Sequence, residues 1–277
     1  MSAIVKVIMN QITNNPIGIF DSGVGGLTVL HQLLQLLPEE NFVYFGDTAR
    51  VPYGSKSRQT ITHFSFQDVN FLLSQEVKMV VVACNSASSN SLSELKAKYE
   101  VPIFGVIEPT ITSLSEEISK IGIIGTSATI ESGSYQKMLK QKLGNEALLY
   151  EKACPLFVQL AEEGLSDSHI ADTVIEHYLS KMKANSPQAL ILGCTHYPLF
   201  INSLQRYFGD SVSLVNPALE VAKEVHKYIH DNGLENKNGR GDIRFYLSDV
   251  PRNFGSVSVN FLQREIEDIT KIDIERY

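Results

Sequence analysis

Residues 77–84 have the sequence VKMVVVAC, and this stretch decides the fold class. Its apolar, largely β-branched side chains are typical of a strand that is covered on both faces, as the strands of parallel sheets are. Similar apolar runs lie at 16–20 (PIGIF), 41–45 (NFVYF) and 103–107 (IFGVI), and segments with helical spacing lie between them at 27–37, 60–75 and 90–99. This alternation predicts a mostly parallel sheet flanked by helices, which is an α/β fold.

The pattern starts again in the second half of the chain. Three landmarks of the first half recur there at nearly one offset. The pairs are IGIFD (17–21) with IGIIG (121–125), VVVAC (80–84) with ALILGC (189–194), and the strand-then-proline segments VIEP (106–109) and LVNP (214–217). The recurrence favours two similar, pseudo-symmetric α/β domains with the active site in the cleft between them. The alternative is a chance likeness, since short apolar strands are common.

The last segment of the chain has its own pattern. A helical stretch at 218–230 is followed by a polar turn at 232–241 and a strand at 243–247. We expect this segment to return to the first domain, and a chain of 277 residues suits two medium domains. The predicted domains are therefore 1–106 plus 217–277, and 107–216.

Composition and charge limit the possible partners. Hydrophobic residues make up 43% of the chain and charged residues 20%, which are ordinary values for a globular protein. The net charge of -7 disfavours nucleic acid, because binding to phosphates needs a basic face. A small anionic substrate needs only local donors and stays possible.

The cysteine count and the apolar runs indicate a compartment. Cys84, Cys154 and Cys194 are too few, and odd in number, for a disulfide framework, and they suit a reducing cytosol. Residues 1–15 lack the long apolar run of a signal peptide, and no stretch approaches about 18 apolar residues. We expect a cytoplasmic protein with no membrane partner.

Polar residues follow three of the predicted strands at the point where each strand ends. Ligands of open α/β sheets bind beyond the carboxyl ends of the strands, so these residues are candidates for one cleft. They are Asp21 and Ser22 after the first strand, Cys84, Asn85 and Ser86 after the third, and Cys194, Thr195 and His196 after the matching strand of the second half.

The first of these strands leads into the glycine-rich segment DSGVGG at 21–26. Such a turn before a helix can bind an anion through its backbone amides. A dinucleotide fingerprint would need a third glycine at position 28, where the chain has Thr28, and Asp21 would repel a pyrophosphate. A tight turn explains Gly25 and Gly26. Asp21 is a candidate for assisting a base or for binding an amine.

The composition of PYGS at 52–55 predicts a second turn. Its backbone amides and hydroxyl groups could bind a carboxylate. A plain surface turn is the simpler interpretation when the segment is taken alone.

Cys84 and Cys194 are the residues that indicate the chemistry. A free cysteine is commonly a small buried hydrophobe, and this interpretation fits Cys154. The other two each end an apolar strand and precede two hydrogen-bonding side chains. Inverting the α-carbon of an amino acid needs a base on one face and an acid on the opposite face. Two thiols from pseudo-symmetric strands would supply both, with Asp21 near one and His196 near the other.

Two other uses of these thiols compete with that interpretation. Cys194 and His196 are separated by one residue, which is too short for the usual zinc pairs, and the chain has no Cys-x-x-Cys pair. A Cys–His nucleophile, as in thiol hydrolases, would use one cysteine and leave the other idle.

Five segments together resemble the glutamate racemase family of bacteria, in order and over almost the whole chain from residue 16 onward. They are IGIFDSGVGGLTVL (17–30), YFGDTARVPYGSKS (44–57), VVACNSAS (81–88), IGTSATIESGSY (124–135) and LGCTHYPL (192–199). The resemblance implies that Cys84 and Cys194 are acid/base thiols, each deprotonating one enantiomer, and that Asp21 and His196 assist them. It also implies a homodimer that uses no pyridoxal phosphate and no metal and makes D-glutamate for peptidoglycan.

The resemblance implies a set of substrate contacts as well. They are Asp21, Ser22, Tyr53, Gly54, Asn85, Ser86, Thr129, Glu162, Thr195 and His196. The chain departs from the family pattern at Ser86, where threonine is usual, and at Gln159, where proline is common. Glu163 lies beside Glu162 and makes that match ambiguous. Residues 1–15 extend beyond the usual start, in a region where some relatives bind a cell-wall precursor that activates them.

Three alternatives make different predictions. An aspartate or hydantoin racemase of the same superfamily would share the chemistry and differ in substrate. A protein that only binds an anionic ligand would have buried, unreactive cysteines. A thiol hydrolase would form an acyl-enzyme.

Overall fold

The computed structural model describes residues 13–239, 241–252 and 254–277. The expectations for the N-terminal extension and for the absence of a signal peptide therefore lie outside the described residues, except at 13–15. The same holds for residues 1–12 of the first predicted domain.

The described strands form two sheets, and every neighbouring pair of strands is parallel. The strands are β1 (Ile17–Asp21), β2 (Phe42–Gly46), β3 (Met79–Val82), β4 (Ile103–Gly105), β5 (Lys120–Gly125), β6 (Leu148–Ala153), β7 (Ala189–Gly193), β8 (Ser213–Val215), β9 (Ile243–Leu247) and β10 (Ile269–Lys271). The first sheet has the order β10-β9-β2-β1-β3-β4 and the second has the order β6-β5-β7-β8. The predicted α/β class is confirmed.

The two sheets repeat one topology. The order β2-β1-β3-β4 in the first sheet matches β6-β5-β7-β8 in the second, strand for strand. Strand β3 therefore corresponds to β7, and Cys84 and Cys194 follow these two equivalent strands closely. The repeat suggested by the sequence is present, and β9 and β10 extend the first sheet beyond β2.

Helices alternate with the strands. They are α1 (Leu27–Leu36), α2 (Arg58–Ser74), α3 (Asn85–Lys98), α4 (Ile107–Thr112), α5 (Ser127–Glu131), α6 (Ser134–Leu143), α7 (Leu156–Glu162), α8 (His169–Ala184), α9 (Ile201–Phe208), α10 (Pro217–Asn232) and α11 (Phe254–Leu262). Side-chain caps fix several starts, because a cap oxygen satisfies a backbone N–H that the helix leaves unpaired. Ser57 accepts from Thr60 at the start of α2, and Asn216 accepts from Ala218 at the start of α10.

Most boundaries lie within two residues of the sequence prediction, and two of the differences have a clear physical cause. Helix α3 begins at Asn85, five residues before the predicted start, because Cys84 takes the cap position and the polar sequence NSASSNS carries no apolar period. The strand predicted over 103–107 ends at Gly105, and Pro109 lies inside α4. A proline is tolerated in the first turn of a helix, where its missing N–H would have no partner.

The core explains why the strand ends are fixed in space. Val80 and Val82 of β3 pack on one face of the first sheet, whereas Met79 and Val81 pack on the other, and all four are fully buried. Burial of one such side chain stabilises the fold by about 1.5–3 kcal/mol. None of the helices in the described part of the chain has the length and apolar character needed to cross a membrane.

Candidate active site

Cys84 lies between the end of β3 and the first turn of α3, and it is 5% exposed. Its Sγ is 3.6 Å from the Oγ of Ser22. Burial raises the pKa of the Cys84 thiol to about 12, and the nearby Asp21 carboxylate adds to the rise, while the Ala87 N–H and the Ser22 hydroxyl oppose it. Cys84 is therefore a protonated thiol at neutral pH.

Cys194 follows β7 and has a different neighbour. Its Sγ is 3.9 Å from Nδ1 of His196, and Nε2 of the same ring is 2.9 Å from Oε1 of Glu162. Burial lowers the pKa of His196, but hydrogen bonds and charge interactions with Cys194 and Glu162 outweigh it and raise the pKa to about 10. An imidazolium thus lies beside Cys194 at neutral pH, and a cation in that position stabilises a thiolate.

Asp21 connects the two sides. It ends β1, is fully buried, and accepts hydrogen bonds from the Gly23 N–H at 2.9 Å and from the Thr195 hydroxyl at 3.4 Å. Burial raises the pKa of Asp21, and the charge of His196 together with these hydrogen bonds limits the rise. Its carboxylate acts on Cys84 through its charge and reaches the Cys194 side through Thr195.

Cys84 and Cys194 both line one cavity of about 190 Å³ between the two sheets. This volume is below the ~300–1,000 Å³ of sites for drug-sized ligands, so the cavity suits a small metabolite. Its walls are Ser22, Val51, Pro52, Tyr53, Gly54, Ser55, Cys84, Asn85, Ser86, Thr126, Ser127, Pro155, Val158, Gln159, Cys194, Thr195 and His196.

The cavity wall contains donors that can hold an anion. The first turn of α3 begins there, and the unpaired N–H groups and the dipole of a helix start favour negative charge. The hydroxyl of Ser86 is 2.9 Å from that of Thr126, and Thr126 is 3.0 Å from Thr129, so the hydroxyls form one chain. Tyr135 donates to Oδ1 of Asn85 at 2.8 Å.

Comparisons with known proteins agree with this geometry. The model of the Asp/Glu/Hydantoin racemase family matches residues 18–225. The chain belongs to this family. It is therefore an amino-acid racemase, which is an isomerase, and the resemblance stated from the motifs is confirmed.

Individual members of the family match this racemase along nearly their full length. Glutamate racemase 2 of Caldanaerobacter subterraneus subsp. tengcongensis is 41% identical over 266 residues, which are 95% of this chain and 99% of that protein. Glutamate racemase of Thermus thermophilus is 43% identical over 260 residues, 94% of this chain and 97% of that protein. The crystal structure of glutamate racemase from Francisella tularensis in complex with D-glutamate superposes with a TM-score of 0.90 at 39% identity, covering 96% of this chain and 100% of that one.

The structure of this racemase brings the predicted site residues together in two layers. Nine of them line the cavity, and three lie behind its wall: Asp21, Thr129 and Glu162. Glu162 contacts His196 through its Oε1. Tyr53 reaches the cavity, but its hydroxyl contacts Asp47 and Asp68 and not the cavity.

Thr126 is the clearest residue that the sequence reasoning missed. It lines the cavity, and its hydroxyl caps α5 by accepting from the Thr129 N–H. The signal was present in the sequence, since a threonine that follows an apolar strand and precedes a helix is a typical N-cap.

Gly25 and Gly26 lie in a turn, as predicted, since the Leu27 N–H donates to the Val24 carbonyl at 3.1 Å, and they also have a second role. Neither has a positive φ, so a left-handed turn does not require them. A Cβ at Gly25 would lie 2.2 Å from Oγ1 of Thr195, and a Cβ at Gly26 would lie 2.4 Å from Cβ of Asp21. The absence of side chains at these positions lets the loop pack directly against site residues.

The described part of the chain contains no group of three His, Cys, Asp or Glu side chains arranged to hold a metal ion.

Proposed function

We propose that this protein interconverts L-glutamate and D-glutamate by moving the α-proton between Cys84 and Cys194. The observation that carries the proposal is that two sulfurs, from equivalent strand ends of two sheets, line one small cavity. The choice of glutamate is supported by relatives that are named glutamate racemase and match the chain along almost its whole length.

The reaction balances with two protons, one removed from Cα and one delivered to it, and two sulfurs. A thiolate on one side removes the α-proton and becomes a thiol, and the thiol on the opposite side gives its proton to the other face of the same carbon and becomes a thiolate. In the free protein Cys84 is protonated, and the imidazolium of His196 favours the thiolate of Cys194. The reverse reaction restores the starting state.

The charged groups of glutamate have complementary partners in the site. Its carboxylates are proposed to bind the start of α3, the backbone of Pro52–Ser55 and the hydroxyls of Ser22, Ser86 and Thr195. The ammonium group is proposed to lie towards Asp21. Thr126 contacts substrate in place of Thr129, which supports it from behind, and Glu162 acts by holding His196.

Several wider expectations belong to the same proposal. The D-glutamate is made in the cytoplasm for peptidoglycan, no cofactor takes part, and the active form is a homodimer. The division into 1–106 plus 217–277 and 107–216 also remains a proposal, supported by the membership of β9 and β10 in the first sheet.

Racemisation in deuterated water tests the proposal directly. Protons on thiols exchange with solvent, so D-glutamate formed from L-glutamate should carry deuterium at Cα, as measured by proton NMR, while circular dichroism follows the loss of optical activity. A protein that binds glutamate without exchange of the α-hydrogen would contradict the mechanism. A strong preference for aspartate in a substrate panel would contradict the choice of substrate.

A further inference from the structure

The Pro52–Ser55 segment lines the cavity, but the side chain of Tyr53 points away from it into a buried polar cluster. The Tyr53 hydroxyl is 2.5 Å from Oδ2 of Asp47 and 3.0 Å from Oδ2 of Asp68. All three side chains are fully buried. The cluster lies beside the carboxyl ends of β2 and β9, immediately behind the cavity wall.

Asp47 accepts hydrogen bonds on both of its carboxyl oxygens. Arg50 donates from Nε to Oδ2 at 2.7 Å, Ser248 donates to Oδ1 at 2.8 Å, and the phenol of Tyr53 gives its single proton to the shorter contact. Arg50 is fixed in turn, because its guanidinium stacks 4.1 Å from the ring centre of Phe64. A cation held in this way balances one carboxylate.

If Asp68 were ionised, its contact with Tyr53 would contain no proton. Arg50 donates from Nη2 to Oδ1 of Asp68 at 3.1 Å, but Oδ2 faces a phenol oxygen whose proton is already used. The contact becomes a hydrogen bond only if Asp68 carries a proton and donates it. Burial and the charge of Asp47 raise the pKa of Asp68 well above its usual value, against the effect of Arg50.

We propose that Asp68 is a neutral carboxylic acid that donates to Tyr53 and thereby holds the Pro52–Ser55 wall in the position that binds substrate. The order of the bonds is Asp68 to Tyr53 to Asp47, with Arg50 contacting both acids. Tyr53 and Asp68 are positioning residues, because neither hydroxyl nor carboxyl faces the cavity. The effect on catalysis rests on the proposed racemase function.

Replacement of Asp68 distinguishes a neutral hydrogen-bond donor from a charged carboxylate, which can only accept. Asp68→Asn keeps a donor for Tyr53 and an acceptor for Arg50, so KM for glutamate should stay within about twofold of wild type. Asp68→Ala and the milder Tyr53→Phe each remove the bond, and KM should rise about tenfold, the factor that corresponds to one lost hydrogen bond, with a smaller change in kcat. An Asn variant that is as impaired as the Ala variant would overturn the proposal.

A matched control separates positioning from loss of stability. Glu40→Gln breaks a buried ion pair with Lys78, 2.6 Å long, that precedes β2 at the opposite end of the strands from the cavity. It should lower Tm and leave KM unchanged. If Asp68→Ala and Tyr53→Phe also lower Tm without changing KM, the cluster is structural only and the proposal fails.

A second readout does not depend on racemase activity. The Lys56 amide donates to the Tyr53 carbonyl at 3.0 Å, and its hydrogen exchange should be at least about tenfold faster in Asp68→Ala than in wild type, and unchanged in Asp68→Asn and Glu40→Gln. The carbonyl stretch of a protonated carboxylic acid should be present in the infrared spectrum of wild type and absent in Asp68→Asn. Equal exchange in all variants, or no such band, would refute the role of Asp68 even if the protein racemises glutamate. If the hydrogen exchange and the infrared band are as expected but the protein does not racemise glutamate, the role of Asp68 stands and the proposed function is wrong.

Discussion

Replacement of Gly25 by alanine perturbs the site by adding a single carbon. The new Cβ would lie 2.2 Å from Oγ1 of Thr195 and 2.5 Å from Nδ1 and Cε1 of His196. Ordinary contacts begin at 3.4 Å, so Thr195 must move away by about 1 Å or the loop must shift by the same amount. Neither group is the flexible end of a long side chain, since Thr195 also contacts Asp21 and His196 is held by Glu162.

The size of the effect follows from that displacement. A misplacement of about 1 Å at a catalytic centre costs about 100-fold in rate, and overpacking of a buried site costs about 1–3 kcal/mol of stability. We therefore expect Gly25→Ala to lower kcat/KM for glutamate about 100-fold while the protein remains folded. The backbone of Gly25 has no positive φ, so alanine causes no strain of its own there.

Gly23→Ala is the matched control, in the same loop. A Cβ at Gly23 would meet only Val51, at 3.3 Å from Cγ2 and 3.9 Å from Cβ, and the Gly23 amide that donates to Asp21 would be kept. Polarimetry should give kcat/KM within about threefold of wild type for this variant, and thermal unfolding should give a Tm close to it. Equal activity of Gly25→Ala and Gly23→Ala would refute the close packing of Thr195 and His196 on this loop.

Three further predictions concern the titratable groups. Cys84→Ser and Cys194→Ser should each abolish racemisation, measured by circular dichroism, whereas Cys154→Ser should retain it, because Cys154 is buried away from the cavity; activity in either of the first two would contradict two-base transfer. His196 should titrate near pH 10 in nitrogen NMR. Because its folded pKa is raised from 6.5, it should add stability below pH 6.5 that is lost as pH rises towards 10. Urea unfolding of His196→Asn should show a smaller loss of stability over this pH range, and an equal loss would contradict the assignment. Asp21→Asn should lower the pKa of Cys84 by removing a neighbouring charge. In a background without the other cysteines, iodoacetamide should therefore label Cys84 faster at pH 9, and an unchanged rate would argue against that coupling.

The sequence was sufficient for the strands and for the edge at which they meet. Apolar runs such as 77–83 are recognisable because they are buried on both faces, and the residues that follow them share one edge in any parallel sheet. The start of α3 was missed by five residues because its buried face is built from serine and alanine, which give no apolar period. Helix starts are encoded by caps, and a cysteine at the cap of α3 gives no recognised signal.

The directions in which side chains point could not be predicted from the sequence. Tyr53 belongs to a motif that lines the cavity, yet its hydroxyl is held by Asp47 and Asp68, and Asp68 lies in the middle of a helix with no motif around it. The steric role of Gly25 likewise depends on Thr195 and His196, which are about 170 residues away in the chain. The Tyr53 contacts depend on how a helix packs on the first sheet, and the Gly25 contacts depend on how the two sheets face each other. Local sequence patterns report neither arrangement.

The two halves share a topology but differ in charge, and the proposed two-base transfer uses this difference. Strands β3 and β7 are equivalent, yet Cys84 has the Asp21 carboxylate near it, whereas Cys194 has the imidazolium of His196. A carboxylate favours the thiol and an imidazolium favours the thiolate. The repeated fold thus brings two cysteines to one cavity, and the unmatched residues at 21 and 196 place a carboxylate near Cys84 and an imidazolium near Cys194.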